Sequence, residues 1–186
     1  MQSSLESQRL ILRPWQESDR SPFYQLNADP VVMRYFPKSL SRMESDQLLD
    51  KFQALIEQQG WGFWAVELKA EQCLIGMTGL HHQPDQFHFS PCTEMGWRFA
   101  KDFWGHGYAT EAAQLALKFA FQTLKLNEVV AFTASINHPS QAVMQRLGMH
   151  YQHEFLHPAL STDSFLQKHV LYAIQQSEFI SNVSIT

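Results

Sequence analysis

Cysteine is scarce in this chain of 186 residues, with Cys73 and Cys92 its only two. Two isolated thiols exclude a disulfide-stapled fold and point to reduced, inert side chains in a cytoplasmic protein. Long apolar runs are missing as well. Nothing approaches the ~20 unbroken apolar residues of a membrane span, and the polar N-terminus lacks the basic-then-apolar order of a signal peptide. Basic charge is in deficit, since 14 Lys and Arg face 18 Asp and Glu for a net charge of −4. With no basic block, neither nucleic acid nor a membrane is an expected partner. Repeats, low-complexity tracts and Pro/Gly/Ser-rich linkers are absent too. Residues 1–186 therefore read as a single domain with enough chain to bury a real core.

What the chain does have is Trp104-Gly105-His106-Gly107-Tyr108-Ala109-Thr110-Glu111-Ala112. Two glycines one residue apart stand just before a long apolar-periodic run. Glycine lets the backbone take positive φ and lets an anion approach the main chain closely. The first turn of a helix leaves N–H groups unpaired at the positive end of its dipole. Together these features suit a diphosphate. A Gly-x-Gly before a helix also arises for purely steric reasons, so the flanking residues decide between the two readings.

The order of elements follows from periodicity and punctuation. Residues 9–14 alternate around Leu10 and Leu12, which predicts a first strand. Ser21-Pro22 marks a helix start ahead of Phe23 and Leu26. Ser41 stands three before Glu44, the capping-box spacing. Leu48, Leu49, Phe52, Leu55 and Ile56 follow at helical period, and Gly60 should end that helix. Residues 63–68 and 74–80 predict an antiparallel hairpin about a polar turn at 69–72. Residues 81–91 read as a loop and 93–99 as a further strand. A helix over about 108–124 carries Glu111, Gln114, Lys118, Gln122 and Lys125 on one narrow stripe and is largely apolar elsewhere. Residues 128–134 form a strand, and Asn137-His138-Pro139-Ser140 opens a short helix that closes at Gly148. Strands at 150–156 and 165–174 finish the chain about a loop at 158–163. Hairpins mixed with one helical crossover predict an α+β (mixed α/β) fold with a largely antiparallel sheet.

Several separated pieces share one likeness. They are Arg9-Leu10-Ile11-Leu12-Arg13-Pro14, then Asn27-Ala28-Asp29-Pro30-Val31-Val32-Met33-Arg34-Tyr35, then Glu94-Met95-Gly96-Trp97. The 104–112 loop, Asn137-His138-Pro139-Ser140 and Arg146-Leu147-Gly148-Met149 complete the set. In this order they resemble the GNAT superfamily of acyl-CoA N-acyltransferases over about 8–173. Within it, the chain is similar to the branch of ribosomal-protein N-terminal alanine and serine acetyltransferases. Two positions depart from the superfamily pattern. Trp104 stands where Arg or Gln is usual, a replacement common in that branch. Met144 stands where many members carry a Tyr that protonates the leaving thiolate, and Met has no transferable proton.

The resemblance implies a sheet that splays after its fourth strand, with helices on both faces. It implies acetyl-CoA as co-substrate and no metal. Trp104, Gly105, His106, Gly107, Tyr108, Ala109 and Thr110 would cradle the coenzyme diphosphate, so a side chain at Gly105 or Gly107 is expected to block coenzyme binding. Met95, Gly96, Trp97 and Phe99 would offer a strand edge to the pantetheine arm. The plain alternative is an interior strand with both edges paired. Asn137 would hydrogen-bond the pantetheine, yet it is also a good N-cap, and the two roles compete for one side chain. Glu94 is the candidate general base, against an edge carboxylate open to water. Ser140 is the candidate proton donor in place of the missing Tyr, against a simple first-turn serine. The nine histidines lack metal-ligand spacing, although His81 or His82 suits a water-mediated proton path. Trp15, Tyr35, Phe36 and Trp61 suit an acceptor pocket and core packing equally.

The expected reaction moves an acetyl group from acetyl-CoA directly to a primary amine, foremost the N-terminal α-amine of a protein. A small-molecule amine acetyltransferase acting on a polyamine, amino acid or aminoglycoside is the second reading. A non-catalytic acyl-CoA sensor is the third. A monomer or homodimer is expected.

Overall fold

The computed structural model describes residues 4–183. Eight strands and five helices make a mixed α+β fold whose pairing is largely antiparallel. In chain order these are β1 (Leu5–Glu6), β2 (Leu10–Arg13), α1 (Arg20–Ala28), α2 (Arg42–Gln59), β3 (Phe63–Leu68), β4 (Cys73–Gln83) and β5 (Cys92–Phe99). There follow α3 (Tyr108–Gln122), β6 (Glu128–Ala134), α4 (His138–Arg146), β7 (His150–Leu156), β8 (Lys168–Gln175) and α5 (Gln176–Val183). The chain divides into two compact units, one of residues 1–80 with 96–116 and the other of 81–95 with 117–186.

In the first unit the strands lie in the order β1-β2-β3-β4-β5. Hydrophobic alternation sets the register. Leu10 and Leu12 of β2 are fully buried and face Leu68 and Val66 of β3, also buried. The β3–β4 hairpin turns where predicted, with Leu68 opposite Cys73. Helix α2 starts at Ser41, whose hydroxyl accepts the Glu44 N–H while the Glu44 carboxylate returns to the Ser41 N–H. It stops at Gly60, where φ reaches 83°, a conformation open to glycine at little strain. Its apolar stripe of Leu49, Phe52 and Ile56 is buried, and Phe52 packs its ring 4.9 Å from that of Phe63 on β3. The buried Asn27 of α1 donates to Ser45 of α2 at 3.0 Å, pinning the two helices together.

In the second unit the order is β5-β6-β8-β7. β5 runs parallel to β6 with Glu94 opposite Val130. β8 is antiparallel to both β6 and β7. Phe87, Val130, Phe155, Leu171 and Ala173 form a buried cluster, and Phe89, Cys92 and Phe132 pack against it.

Several boundaries differ from expectation. Helix α1 begins at Arg20 rather than at Ser21-Pro22, because the Asp19 carboxylate, held by Arg13, accepts the Gln16 N–H and sets the turn earlier. β4 runs on to Gln83, so His81 and His82 are strand residues and not loop. α3 ends at Gln122 rather than at 124. β8 starts at Lys168 rather than at 165, and Phe165 is exposed. β1 and α5 have no counterpart in the sequence reading.

His169 carries a measurable consequence of this packing. It is buried, with its ring 5.7 Å from Phe155 and 4.8 Å from His157. Burial pushes its pKa down to about 4, and burial lowers that of His157 as well. An unfolded histidine titrates near ~6.5. The neutral ring therefore stabilises the fold fully above that value, and the contribution falls as pH drops toward 4. At pH 5 the loss from His169 is expected to reach roughly 2 kcal/mol. His169→Gln should flatten that part of the slope between pH 7.5 and 5 in urea unfolding. An identical slope in the variant would refute the assignment.

Candidate active site

The 104–110 loop takes its shape from its two glycines. Gly105 and Gly107 have φ of 82° and 81°, with His106 between them on the ordinary side of the map. Such alternation turns successive N–H groups toward one concavity, a main-chain nest for an anion. A short 3-10 turn at Lys101–Phe103 leads into the loop. The indole of Trp104 donates to the Phe99 carbonyl at 2.8 Å, tying the loop to the end of β5. Gly107 accepts the Glu111 N–H at 3.1 Å and so caps α3. Among the described residues, no N–H from Gly105 to Thr110 donates to a backbone carbonyl outside the helix. An array of open donors at a helix start fits a diphosphate, by hydrogen bonding and by dipole alike.

A brace holds the loop from the N-terminal strands. Glu111, in the first turn of α3, accepts from Ser7 Oγ at 2.6 Å and from Arg9 Nε at 2.7 Å. Arg9 also donates from Nη1 to the His106 carbonyl at 3.1 Å and lies over the Tyr108 ring at 4.6 Å. Burial works to raise the Glu111 pKa, but hydrogen bonds from Ser7 and Arg9 outweigh it and hold the carboxyl below its ordinary value. Sequence reading placed Arg9 and Glu111 in motifs without pairing them. Their separation of 102 positions leaves no periodic signal. A carboxylate at the fourth residue of a helix facing an Arg-led strand was the only hint.

The sites named on β5 divide by burial. Met95 and Phe99 are buried, whereas Gly96 and Trp97 are half-buried. The Phe99 carbonyl is occupied by Trp104. The Gly96 carbonyl accepts the Thr78 hydroxyl at 2.9 Å.

In the second unit, Glu94 is well sheltered, its side chain 17% exposed, and its Oε1 lies 3.8 Å from His81 Nδ1. His82, the other histidine considered for proton transfer, is exposed, because adjacent strand residues face opposite ways. Asn137 caps α4, its Oδ1 accepting the Ser140 N–H at 3.3 Å and its Nδ2 donating to Thr133 Oγ1 at 2.8 Å. Ser140 is half-buried in the first turn of that helix. Met144 is a core residue, 1% exposed. Neither thiol is poised to react. Burial, reinforced by nearby Glu94, pushes Cys92 up to about 11, and burial also raises Cys73. No group of three or more His, Cys, Asp or Glu among the described residues could hold a metal ion. Among those residues no helix is long and apolar enough to cross a membrane.

A strand leading into a glycine nest that caps a helix can hold the diphosphate of an acyl-CoA, and the family comparison identifies the chain. The model of the acetyltransferase (GNAT) domain matches residues 9–150. The chain belongs to the GNAT acetyltransferase family and is an acyl-CoA-dependent N-acetyltransferase. YnaD of Bacillus subtilis, an uncharacterized N-acetyltransferase, is 29% identical over 147 residues, covering 78% of this chain and 81% of its own. A GNAT-family acetyltransferase from Bacillus anthracis superposes with a TM-score of 0.81 at 25% identity, over 95% of this chain and 100% of its own. Two Vibrio cholerae structures share the fold. One is provisionally described as a ribosomal-protein-serine acetyltransferase (TM-score 0.75, 19% identity, 93% and 97% coverage). The other is a spermidine N-acetyltransferase in complex with CoA and spermine (TM-score 0.74, 20% identity, 94% and 99% coverage).

Proposed function

We propose that the acceptor is an α-amine, foremost the N-terminus of a protein, and that the chain works as a single cytoplasmic acetyltransferase domain. The observation that carries this is the sheltered Glu94 with His81 beside it. An amine must be neutral to attack. A free α-amine has a pKa near ~8 and a lysine near ~10.4, so the α-amine needs about two units less help, roughly 2.7 kcal/mol. A carboxylate with a neighbouring imidazole, working through water, is adequate to that smaller demand.

In this reading the diphosphate of acetyl-CoA rests on the N–H groups of 105–110, with Trp104 and His106 shaping the rim. The pantetheine arm runs along Met95, Gly96, Trp97 and Phe99, and Asn137 meets it with the second hydrogen of its amide. The amine nitrogen attacks the thioester carbonyl, forming the C–N bond, and its proton passes through water to Glu94. Main-chain N–H groups of β5 steady the oxyanion. Collapse breaks the C–S bond, and the thiolate leaves with both electrons. Its conjugate acid has a pKa near ~8.5 if it resembles a cysteine. It is thus a good leaving group without the Tyr that Met144 replaces, and Ser140 is the proposed donor. The raised pKa values of Cys73 and Cys92 support direct transfer over an acyl-enzyme.

Thiol release measured with a panel of peptides and a panel of small amines tests the acceptor. Higher kcat/KM for peptides with a free N-terminus is expected. Preference for spermidine would move the assignment to a polyamine, and no turnover beside tight acetyl-CoA binding would make the protein a sensor. Glu94→Gln should lower the rate about a hundredfold near pH 7. The deficit should shrink toward pH 9, where the amine is neutral on its own. A pH–rate profile parallel to that of the wild type would remove Glu94 from the mechanism.

A further inference from the structure

Arg98 is a charge without a counter-charge. It stands on β5, in the first unit, and most of its guanidinium is sunk in protein. Desolvation is the whole cause of its lowered pKa, which falls to about 10, so the group stays cationic at neutral pH. No carboxylate pairs with it among the described residues, whereas the half-buried Arg13 of the same unit has two. Its Nη1 donates to Asn27 Oδ1. Asn27 is itself fixed by Ser45, so this corner of the guanidinium is held rigidly. One face lies over the ring of Phe36 at 4.1 Å. Nε is buried with no hydrogen-bond partner. Leaving a buried N–H of a cation unsatisfied is destabilising, and a buried ion with no partner more so.

The orientation says what would complete it. With Nη1 engaged, the remaining edge is Nε with Nη2, the planar fork that meets a carboxylate through two parallel hydrogen bonds. The residue as a whole is half-buried. A second cation stands two residues before Phe36, on the segment whose ring Arg98 covers. Arg34 is exposed, lies over Tyr35 at 4.8 Å and over Trp104 at 5.7 Å, and forms no ion pair among the described residues. Acetyl-CoA brings phosphates but no carboxylate, and its diphosphate is the group proposed for the 105–110 loop.

Resting on the amine-acceptor reading above, we propose that Arg98 is a specificity residue that receives a carboxylate carried by the acceptor. The acceptor class is then an amine bearing an acid group, and a polycation such as spermidine is disfavoured by uncompensated positive charge at Arg98 and Arg34. The carboxylate has two sources of the same chemistry, the α-carboxylate of a free amino acid and an acidic side chain near a peptide N-terminus.

Paired acceptors separate them in thiol-release assays on the full chain saturated with acetyl-CoA. Alanine against alaninamide reads the first source, and Ala-Glu-amide against Ala-Gln-amide reads the second. In one pair the acid should be favoured by about 10–100-fold in kcat/KM, the worth of a charged hydrogen-bonded contact. In Arg98→Met that ratio should collapse to about one, and Arg98→Lys, which keeps the charge without the fork, should recover only part of it. A role confined to holding the structure would lower both members of a pair equally and leave the ratio intact. A binding readout stands apart from turnover. The Nε–H resonance of Arg98, assigned by its loss in Arg98→Met, should shift on adding N-acetylalanine or N-acetyl-Ala-Glu-amide and not with the matching amides. No shift with either acid overturns the proposal, as does a shift with coenzyme A alone. Calorimetry with acetyl-CoA reads the acyl-transfer assignment separately, so failure of one leaves the other legible.

Discussion

Gly107→Val should abolish acetyl-CoA binding, raising Kd by at least about a hundredfold, and Gly105→Val should do nearly the same. The reason lies in the backbone. Both glycines have φ near 80°, where an L-residue is strained by roughly 1–2 kcal/mol and a β-branched one by more. The protein itself leaves room. A Cβ at Gly105 meets nothing within 4 Å, and one at Gly107 meets only Arg9 Nη2 at an ordinary 3.6 Å. Valine would instead relieve its strain by rotating the flanking peptides, turning away the N–H groups that the diphosphate needs. The capping bond from Glu111 to the Gly107 carbonyl would be disturbed by the same rotation. Titration calorimetry checks this directly, with urea unfolding to confirm that the variant is folded. A folded Gly107→Val that binds acetyl-CoA as tightly as the wild type would show that the coenzyme does not rest on this loop.

Asp19→Ala should destabilise the first unit by about 3 kcal/mol. For a chain of this size that is roughly 6–12 °C in Tm. Asp19 is buried and accepts from Arg13 Nη1 at 2.7 Å, Arg13 Nη2 at 2.9 Å and the Gln16 N–H at 2.8 Å. Arg13 Nε donates to Glu67 at 2.6 Å. Burial by itself would lower the Arg13 pKa, but hydrogen bonds to Asp19 and Glu67 reverse this and raise it. Removing Asp19 leaves a partly buried guanidinium half-paired and the Gln16 N–H unmet. Replacing both ions, as Arg13→Met with Asp19→Leu, should recover much of the loss, because the desolvation penalty disappears with the pair. Denaturant unfolding of the singles and the double decides this. A loss under about 1 kcal/mol in Asp19→Ala would mean that the pair behaves as if exposed.

The elements that were legible share a cause. The α2 cap at Ser41 and Glu44, the glycine end at Gly60 and the hairpin turn before Cys73 are each fixed by residues within a few positions of one another. Their φ preferences and side-chain reach act before any distant contact forms. The strands over 63–68 and 128–134 were legible because alternation or β-branched apolar runs mark a buried face whatever lies opposite. β1 was illegible for the opposite reason. Two residues, Leu5 and Glu6, are strand only because they pair with Leu12 and Ile11. The extension of β4 through His81 to Gln83 likewise depends on a partner strand, since its histidines carry no strand signal of their own. Within the candidate site, the glycine loop was visible, whereas the Ser7–Arg9–Glu111 brace, the choice of His81 over His82 and the unpaired state of Arg98 were not.

The sequence by itself determined where the chain turns, which faces are apolar and where main-chain donors stand open at the head of α3. Those are local matters of glycine conformation, capping and period. Only the tertiary structure decided that β8 lies between β6 and β7, that among the described residues Arg13 finds two carboxylates while Arg98 finds none, and that Glu94 is sheltered beside an imidazole. Charge pairing and burial depend on which distant residues meet, and that meeting is set by packing of the whole unit rather than by any spacing along the chain.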